Sequence, residues 1–496
     1  MDIRVEDIID TSRDLLVLGM WQEDEDTSYE FLNTVFAKEV QEAVALGVFK
    51  KTYGEIYPTK FAGLGYRRVL LLALGAKQEM TLERVRRLLS KAVTYTKLYK
   101  FESFSTNIPA MVESTGRFSA QEIGRASAEG ILLANYSFKK YLSPNPDVVD
   151  KEIQIATLSW MKEKNAFVLG IEEGKVIAEC TNFAKDLVNE PALLVTPAYL
   201  HRVAEEIAED KRMKLRVLEK KDLEEKGLGA ILGVSRGSEH PPKLLILEYN
   251  GADEGPCTAI VGKGITFDTG GYNIKPTGSM ETMKCDMGGA AAVLATIKAC
   301  ARLGLKKKII GVAPVCENAV SGTAIKPGDI LIAYNKKSIE ITNTDAEGRL
   351  ILADAISYVE EKYKPEVIID LATLTGACVV ALGSHISGIM SNNVELQGAL
   401  QKAGEESYDR VWPLPILEEY QDSMKGTITD LKNTAMPGYG AGSITAAVFL
   451  SKFVSTAKWA HVDIAGPAFL NEGKDYLQKG ATGTGVRLLT YYFLRN

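Results

Sequence analysis

Five short runs in the latter part of the chain, "KLLILEYN", "CTAIVG", "KKIIGVAPV", "SIEIT" and "EVIIDLA", are apolar or β-branched at nearly every position. A strand with one wet face alternates apolar and polar residues, so runs that do not alternate suit strands covered on both faces. Longer stretches lie between them, notably "GGAAAVLATIKACARL" and "RLILADAISYVEEKY". In the second, Leu350, Ala353, Ile356, Val359 and Tyr363 recur at three- and four-residue steps, which marks one helix face. The pattern predicts an open, mixed but mainly parallel sheet between helices. In such sheets, sites form in loops at the carboxyl ends of the strands.

The N-terminal part carries a separate α/β pattern. Its strand candidates are "DLLVLGMW", "YRRVLLLALG" and "EIQIATLSW", with helical stretches over 82–97 and 120–141 and a proline-bearing turn, "YLSPNPDVVD". A helical run from Glu172 to Val188 and the two prolines of "NEPALLVTPAYL" mark a boundary. A chain of 496 residues exceeds the size at which one core keeps growing. The expected organisation is a smaller N-terminal α/β domain over 1–165, a linker helix over 166–190 and a larger α/β domain over 191–496.

Several function classes are disfavoured. The formal charge of −6 argues against an all-over nucleic-acid surface. The start, "MDIRVEDIIDTSRDLL", scatters acids where a secretory signal needs an apolar core. The most apolar run, "VIIDLATLTGACVVALG", is interrupted by Asp370, threonines and glycines, so no membrane span is expected. Six cysteines with no CxxC pair suit reduced thiols and a cytoplasmic location.

Three polar, glycine-rich segments fall where strands should end. The first is "VGKGITFDTGGYNIKPTGSMETMKCDMGGAA", the second "NTDAEGRL" and the third "LATLTGA". Together they hold Asp268, Asp286, Asp345 and Glu347 in apolar surroundings, where unpaired negative charge is costly to bury. Two lysines and one arginine are too few to neutralise four carboxylates if one lysine is neutral, and two divalent ions would complete the balance. Oxygen-rich ligation suits Mn²⁺, Mg²⁺ or Zn²⁺. In an extended segment Asp345, Glu347 and Arg349 would project to one side.

Other chemistries find little support. "GKG" lacks the spacing of a phosphate loop, and no HExxH occurs. His201 falls on an amphipathic helix, His240 in a loop, His385 in a turn, and His461 reads as a core histidine. Cys285 has no histidine near it in sequence to activate it.

These segments resemble the leucine aminopeptidases of the cytosolic type, dinuclear metallopeptidases. "NTDAEGRL" matches the family's signature octet. "VGKGITFD-GG", "IKP", "MK-DM-GAAAV", "ATLTGACVVALG", "WAHVDIAG" and "ATG-GVRLL" follow in the family's order, from about residue 180 to the end. The resemblance implies that Lys263, Asp268, Asp286 and Glu347 hold one metal, Mn²⁺ or Zn²⁺, and that Asp268, Asp345 and Glu347 hold a second. Lys275 would be a catalytic lysine, and Arg349 would hold bicarbonate as a proton shuttle. Met283, Thr373 and Gly376 would line the pocket for the first side chain. The implied protein is a cytoplasmic homo-hexamer with a macro-like N-terminal domain. It would release leucine and other mainly hydrophobic residues from peptide N-termini through attack of a metal-bridged water on the scissile carbonyl. Departures are Thr269 for serine, "NIKP" for "SIKP", Leu193 for asparagine and "GPAF" for "GTAW". Two alternatives stand beside it: an added DNA-binding role, which needs a basic groove, and a dinuclear phosphoesterase.

Overall fold

The computed structural model describes residues 1–7, 12–25, 34–59, 68–143, 153–252, 255–436 and 438–495. Most of the expected "YLSPNPDVVD" turn lies outside the described residues. The chain divides into two compact units, Met1–Glu179 with Gly473–Gln478, and Cys180–Glu472 with Lys479–Asn496. The division falls inside one continuous helix, Lys164–Asn189.

The first unit is built on a six-stranded sheet. Across it run Asp2–Glu6, Ile155–Ser159, Ser103–Thr106, Leu15–Trp21, Arg68–Gly75 and Ile56–Thr59. All neighbours are parallel except the last pair. Leu15–Trp21 is buried at every position, as its unbroken apolar run requires. Helix Leu82–Leu98 begins on a Thr81 cap, and helix Ala120–Asn135 on a Ser119/Glu122 capping box. The second helix stops six residues short of the expected Tyr141. The Asn135 side chain turns onto Ile153, accepting from its N–H at 3.2 Å and donating to its carbonyl at 3.3 Å. That exchange commits Asn135 to the sheet side, and Tyr136 is already extended.

The second unit holds a nine-stranded sheet. Across it run Val411–Pro413, Ser387–Ser391, Lys458–Asp463, Val367–Ala372, Cys257–Gly262, Lys308–Asn318, Lys243–Asn250 and Met213–Leu218. The ninth strand, Gly264–Asp268, pairs with the end of Lys308–Asn318. The middle four are mutually parallel, and antiparallel pairs flank them. Both faces are covered. Val261, Val312 and Ile368 share a buried cluster with helix Gly348–Tyr363. Gly311, one residue from Val312, faces Val293 and Ile297 of helix Gly288–Arg302. This is why these strands read as continuous apolar runs.

"SIEIT" departs from expectation. Only Ser338–Glu340 is a strand, and it belongs to a small three-stranded sheet with Ile330–Ile332 and Leu431–Lys432. Ile339 is the one buried residue of that strand, and Ile341, also fully buried, lies past the strand's end.

Candidate metal centre

Lys263 fills the one-residue gap between strands Cys257–Gly262 and Gly264–Asp268. Its N–H donates to the Leu371 carbonyl at 3.0 Å, and its carbonyl accepts from Ala290 N at 2.8 Å. The backbone is therefore fixed from both sides before the side chain departs. Its Nζ lies 2.7 Å from Asp286 Oδ1 and 2.9 Å from Glu347 Oε1, and donates to the Thr373 carbonyl at 3.0 Å. Gly348 makes this possible. A Cβ there would sit 2.5 to 2.7 Å from the outer atoms of Lys263.

Asp268 closes its strand at the carboxyl end. Its Oδ1 accepts from Gly270 N at 2.9 Å and from Asn318 Nδ2 at 2.8 Å. Gly270 and Gly271 have φ of +84° and +64°, a turn that ordinary side chains resist. It folds the chain back so that Lys275 Nζ reaches Asp268 Oδ2 at 2.8 Å and Asp345 Oδ1 at 2.6 Å. Asp286 sits in the 3₁₀ turn Met283–Met287, where its Oδ1 accepts from Thr373 Oγ1 at 2.7 Å.

The octet converges by a different route from simple alternation. Asp345 lies in a tight turn, Glu347 is already in helical conformation, and helix Gly348–Tyr363 starts one residue later. Arg349, in the first helical turn, donates from Nη1 to the Asn433 carbonyl at 2.9 Å. A turn feeding a helix brings these side chains to one cavity without an extended strand.

Asp268, Asp286 and Glu347 each offer an oxygen within 4.8 Å of the others, and all three are buried. Asp345 is more open and joins them through Lys275. Burial and the neighbouring carboxylates raise Glu347 to about 8. Burial, with Asp268 adding, raises Asp286 to about 6. Burial pulls Lys263 down, but Asp286, Glu347 and Asp268 together outweigh it and hold the ammonium above its ordinary value. In the field of protein atoms alone Lys263 is thus a cation. Ligation through its nitrogen requires a dication to take over those carboxylates. Burial lowers Arg349 to about 10.

The donor set fits divalent metal. Asp286 Oδ2 and Glu347 Oε2 are buried without a hydrogen-bond partner, which is costly unless a cation meets them. Hard oxygen donors with one amine suit Mn²⁺ or Zn²⁺. A cavity of about 550 Å³ is lined by all ten residues singled out in the sequence: Lys263, Asp268, Lys275, Met283, Asp286, Asp345, Glu347, Arg349, Thr373 and Gly376.

Sequence reasoning passed over Asn318, which holds Asp268. Its one signal was a polar residue closing an apolar strand at the end where sites form. It also passed over Asp463, whose Oδ1 accepts from Leu374 N at 3.2 Å and whose Oδ2 accepts from Thr375 Oγ1 at 2.6 Å. Asp463 thereby backs the cavity wall. His461 is fully buried with Nδ1 2.6 Å from Asp370 Oδ1, away from the cavity lining. Burial and the Asp286 charge push the Cys285 thiol up to about 12, which suppresses a thiolate.

Residues 182–490 match the profile of the cytosol aminopeptidase family catalytic domain, and residues 17–145 match that family's N-terminal domain. A protein of Geobacter sp. (strain M21) named "Probable cytosol aminopeptidase" is 43% identical over 432 residues, 86% of each chain. Among solved structures, a tomato leucine aminopeptidase mutant superposes with a TM-score of 0.88 at 31% identity, covering 100% of this chain and 97% of that one. The bottromycin maturation enzyme BotP in complex with Mn gives 0.85 at 30% identity, with coverage of 97% and 99%.

Proposed function

The chain belongs to the cytosol aminopeptidase family of metallo-exopeptidases, and on that premise we propose that it releases leucine and other mainly hydrophobic residues from peptide N-termini. The observation that carries the reading is the trio Asp268, Asp286 and Glu347, packed within 4.8 Å in a cavity that Lys263, Lys275 and Arg349 also line. Lys263, Asp268, Asp286 and Glu347 would hold one divalent ion, and Asp268, Asp345 and Glu347 a second. When bound, two such ions supply Lewis acidity and make water a nucleophile near neutral pH. The relative solved with Mn supports manganese, and zinc suits the same donors.

The chain's own groups supply the rest. With the four carboxylates committed to the two ions, a free, neutral α-amino group of the substrate would suit a remaining coordination position, which would restrict cutting to the first peptide bond. Lys275 is held charged above its ordinary value: burial opposes this, and Asp268 and Asp345 overcome it. Its ammonium would donate to the oxyanion that develops on the scissile carbonyl, a contribution typically worth about 3 kcal/mol. Arg349 presents a buried, unpartnered Nε that suits a small anion such as bicarbonate, which would carry protons. Met283, Thr373 and Gly376 would receive the first side chain. The relatives' names support a cytoplasmic site of action, and the family's homo-hexamer is carried over as part of this proposal. No helix among the described residues is long and apolar enough to cross a membrane.

Leucine p-nitroanilide and its N-acetylated form, assayed with loaded and chelator-stripped protein, test the reading. Activity is expected only with the free amine and only with metal. Equal rates with and without metal, or on the blocked substrate, would reject it. Light scattering in solution tests the hexamer.

A further inference from the structure

Resting on that reading, we propose that Asn433 is the positioning residue that sets the reach of Asp345, Glu347 and Arg349 into the cavity. Asn433 is fully buried and lies outside the cavity lining, so it can act only through other residues. It follows strand Leu431–Lys432, which pairs in parallel with Ser338–Glu340, and its N–H donates to the Glu340 carbonyl at 3.0 Å. The small sheet thus delivers one carboxamide to the inside of the octet turn.

Both side-chain polar atoms of Asn433, and its carbonyl, are used at that turn. Its Oδ1 accepts from Thr342 N at 2.8 Å, Thr342 Oγ1 at 3.0 Å and Asn343 N at 3.3 Å. Its Nδ2 donates to the carbonyls of Asn343 at 2.6 Å and Ala346 at 3.4 Å. Its own carbonyl accepts from Arg349 Nη1 at 2.9 Å. Thr342 Oγ1 also meets Thr434 Oγ1 at 2.6 Å, which closes the clamp from the other side.

The geometry requires an amide. The turn presents N–H groups to one side of the clamp and carbonyls to the other, so a donor and an acceptor must stand a carboxamide's width apart. Asn343 lies two residues before Asp345, and Ala346 stands between Asp345 and Glu347. Fixing those two carbonyls therefore fixes the backbone from which both carboxylates project, while the third bond fixes the guanidinium. Partners that orient ligands in this way typically contribute about 10- to 100-fold in metal affinity or activity.

Asn433→Asp tests the idea with little change of shape. It keeps the acceptor and sets an oxygen against two carbonyls. Stripped wild type and variant are titrated with Mn²⁺ by calorimetry, and leucine p-nitroanilide kinetics are measured at saturating Mn²⁺. The expected result is Mn²⁺ affinity and kcat each lower by about tenfold or more, with KM changed less than about twofold, because the cavity wall at Thr373–Gly376 is untouched. Native circular dichroism with both affinity and kcat within about twofold of wild type would overturn the proposal. If the variant does not fold, Thr342→Val decides: kcat lower by about threefold at unchanged Tm supports the clamp, and unchanged kcat overturns it. A wild type inactive on leucine p-nitroanilide would remove the peptidase reading and leave the Mn²⁺ titration to judge Asn433.

Discussion

Buried carboxylates of the second unit differ in who answers them, and two pairs make the contrast. Asp354 is fully buried and accepts from the N–H groups of Ala230, Ile231 and Tyr334 at 2.8, 3.0 and 2.7 Å. Glu360 likewise accepts from Ser455, Thr456 and Ala457 at 2.7, 2.6 and 2.9 Å. These carboxylates cap backbone that would otherwise be unsatisfied, so they hold the fold. Asp286 and Glu347 are as deeply buried, yet each keeps one oxygen with no partner. They face each other and Asp268 rather than a ring of amides. Burial alone therefore does not mark a functional carboxylate. What separates Asp286 and Glu347 from Asp354 and Glu360 is an oxygen left unanswered beside a cavity.

The largest contrast should come from paired substitutions. Glu347→Ala is expected to lower turnover about a thousandfold, roughly 4 kcal/mol of lost metal assistance, with Tm held or raised. Asp354→Ala strands three backbone donors and should destabilise by about 4 kcal/mol in urea unfolding, with turnover per folded molecule preserved. If Glu347→Ala unfolded the protein and Asp354→Ala abolished turnover, the distinction would be broken.

Lys275→Ala comes next. Turnover should fall about a hundredfold while mass spectrometry still finds both metals, because its role is to donate to the oxyanion. Normal turnover would remove that role.

pH separates the two sets more gently. Glu347 is raised from 4.5 to about 8 and Asp286 from 3.8 to about 6, first by burial. The folded state thus keeps protons that the unfolded chain has lost across this range, so stripped protein should lose stability as pH rises from about 5 to 8. Asp354, raised to about 7 by burial, adds a slope of the same sign. Only the part that divalent ions abolish belongs to the cavity. Thermal scans at several pH values, with and without Mn²⁺, measure it, and an identical slope in both would contradict the assignment.

The smallest expected effect is Thr373→Val. It removes the hydroxyl that donates to Asp286 and should cost about 1 kcal/mol, roughly fivefold in kcat/KM, with the Lys263 contact to the Thr373 carbonyl retained. A change beyond about fiftyfold would mean that the hydroxyl acts on substrate directly.

Much of this was legible in the chain. Covered strands announced themselves because both faces are apolar, and the helix face from Leu350 to Val359 is buried as its spacing required. Glycines beside charged residues flagged the site, since Gly270 and Gly348 serve conformations and approaches no other residue tolerates well. "SIEIT" misled because a three-residue strand with one buried side chain carries too little pattern to say which sheet it joins. Helix 120–135 was read too long because its stop depends on Ile153, distant in sequence. Asn433 was invisible for the same reason: ordinary composition surrounds it, and its partners lie some ninety positions earlier.

The sequence alone determined which side chains could serve chemistry, because residue type and glycine spacing are local properties written in order along the chain. Only the tertiary structure decided which carboxylates meet amides and which meet one another. That choice depends on which distant segments close over each oxygen, and a lone pair's partner is set by three-dimensional distance rather than by position in the chain.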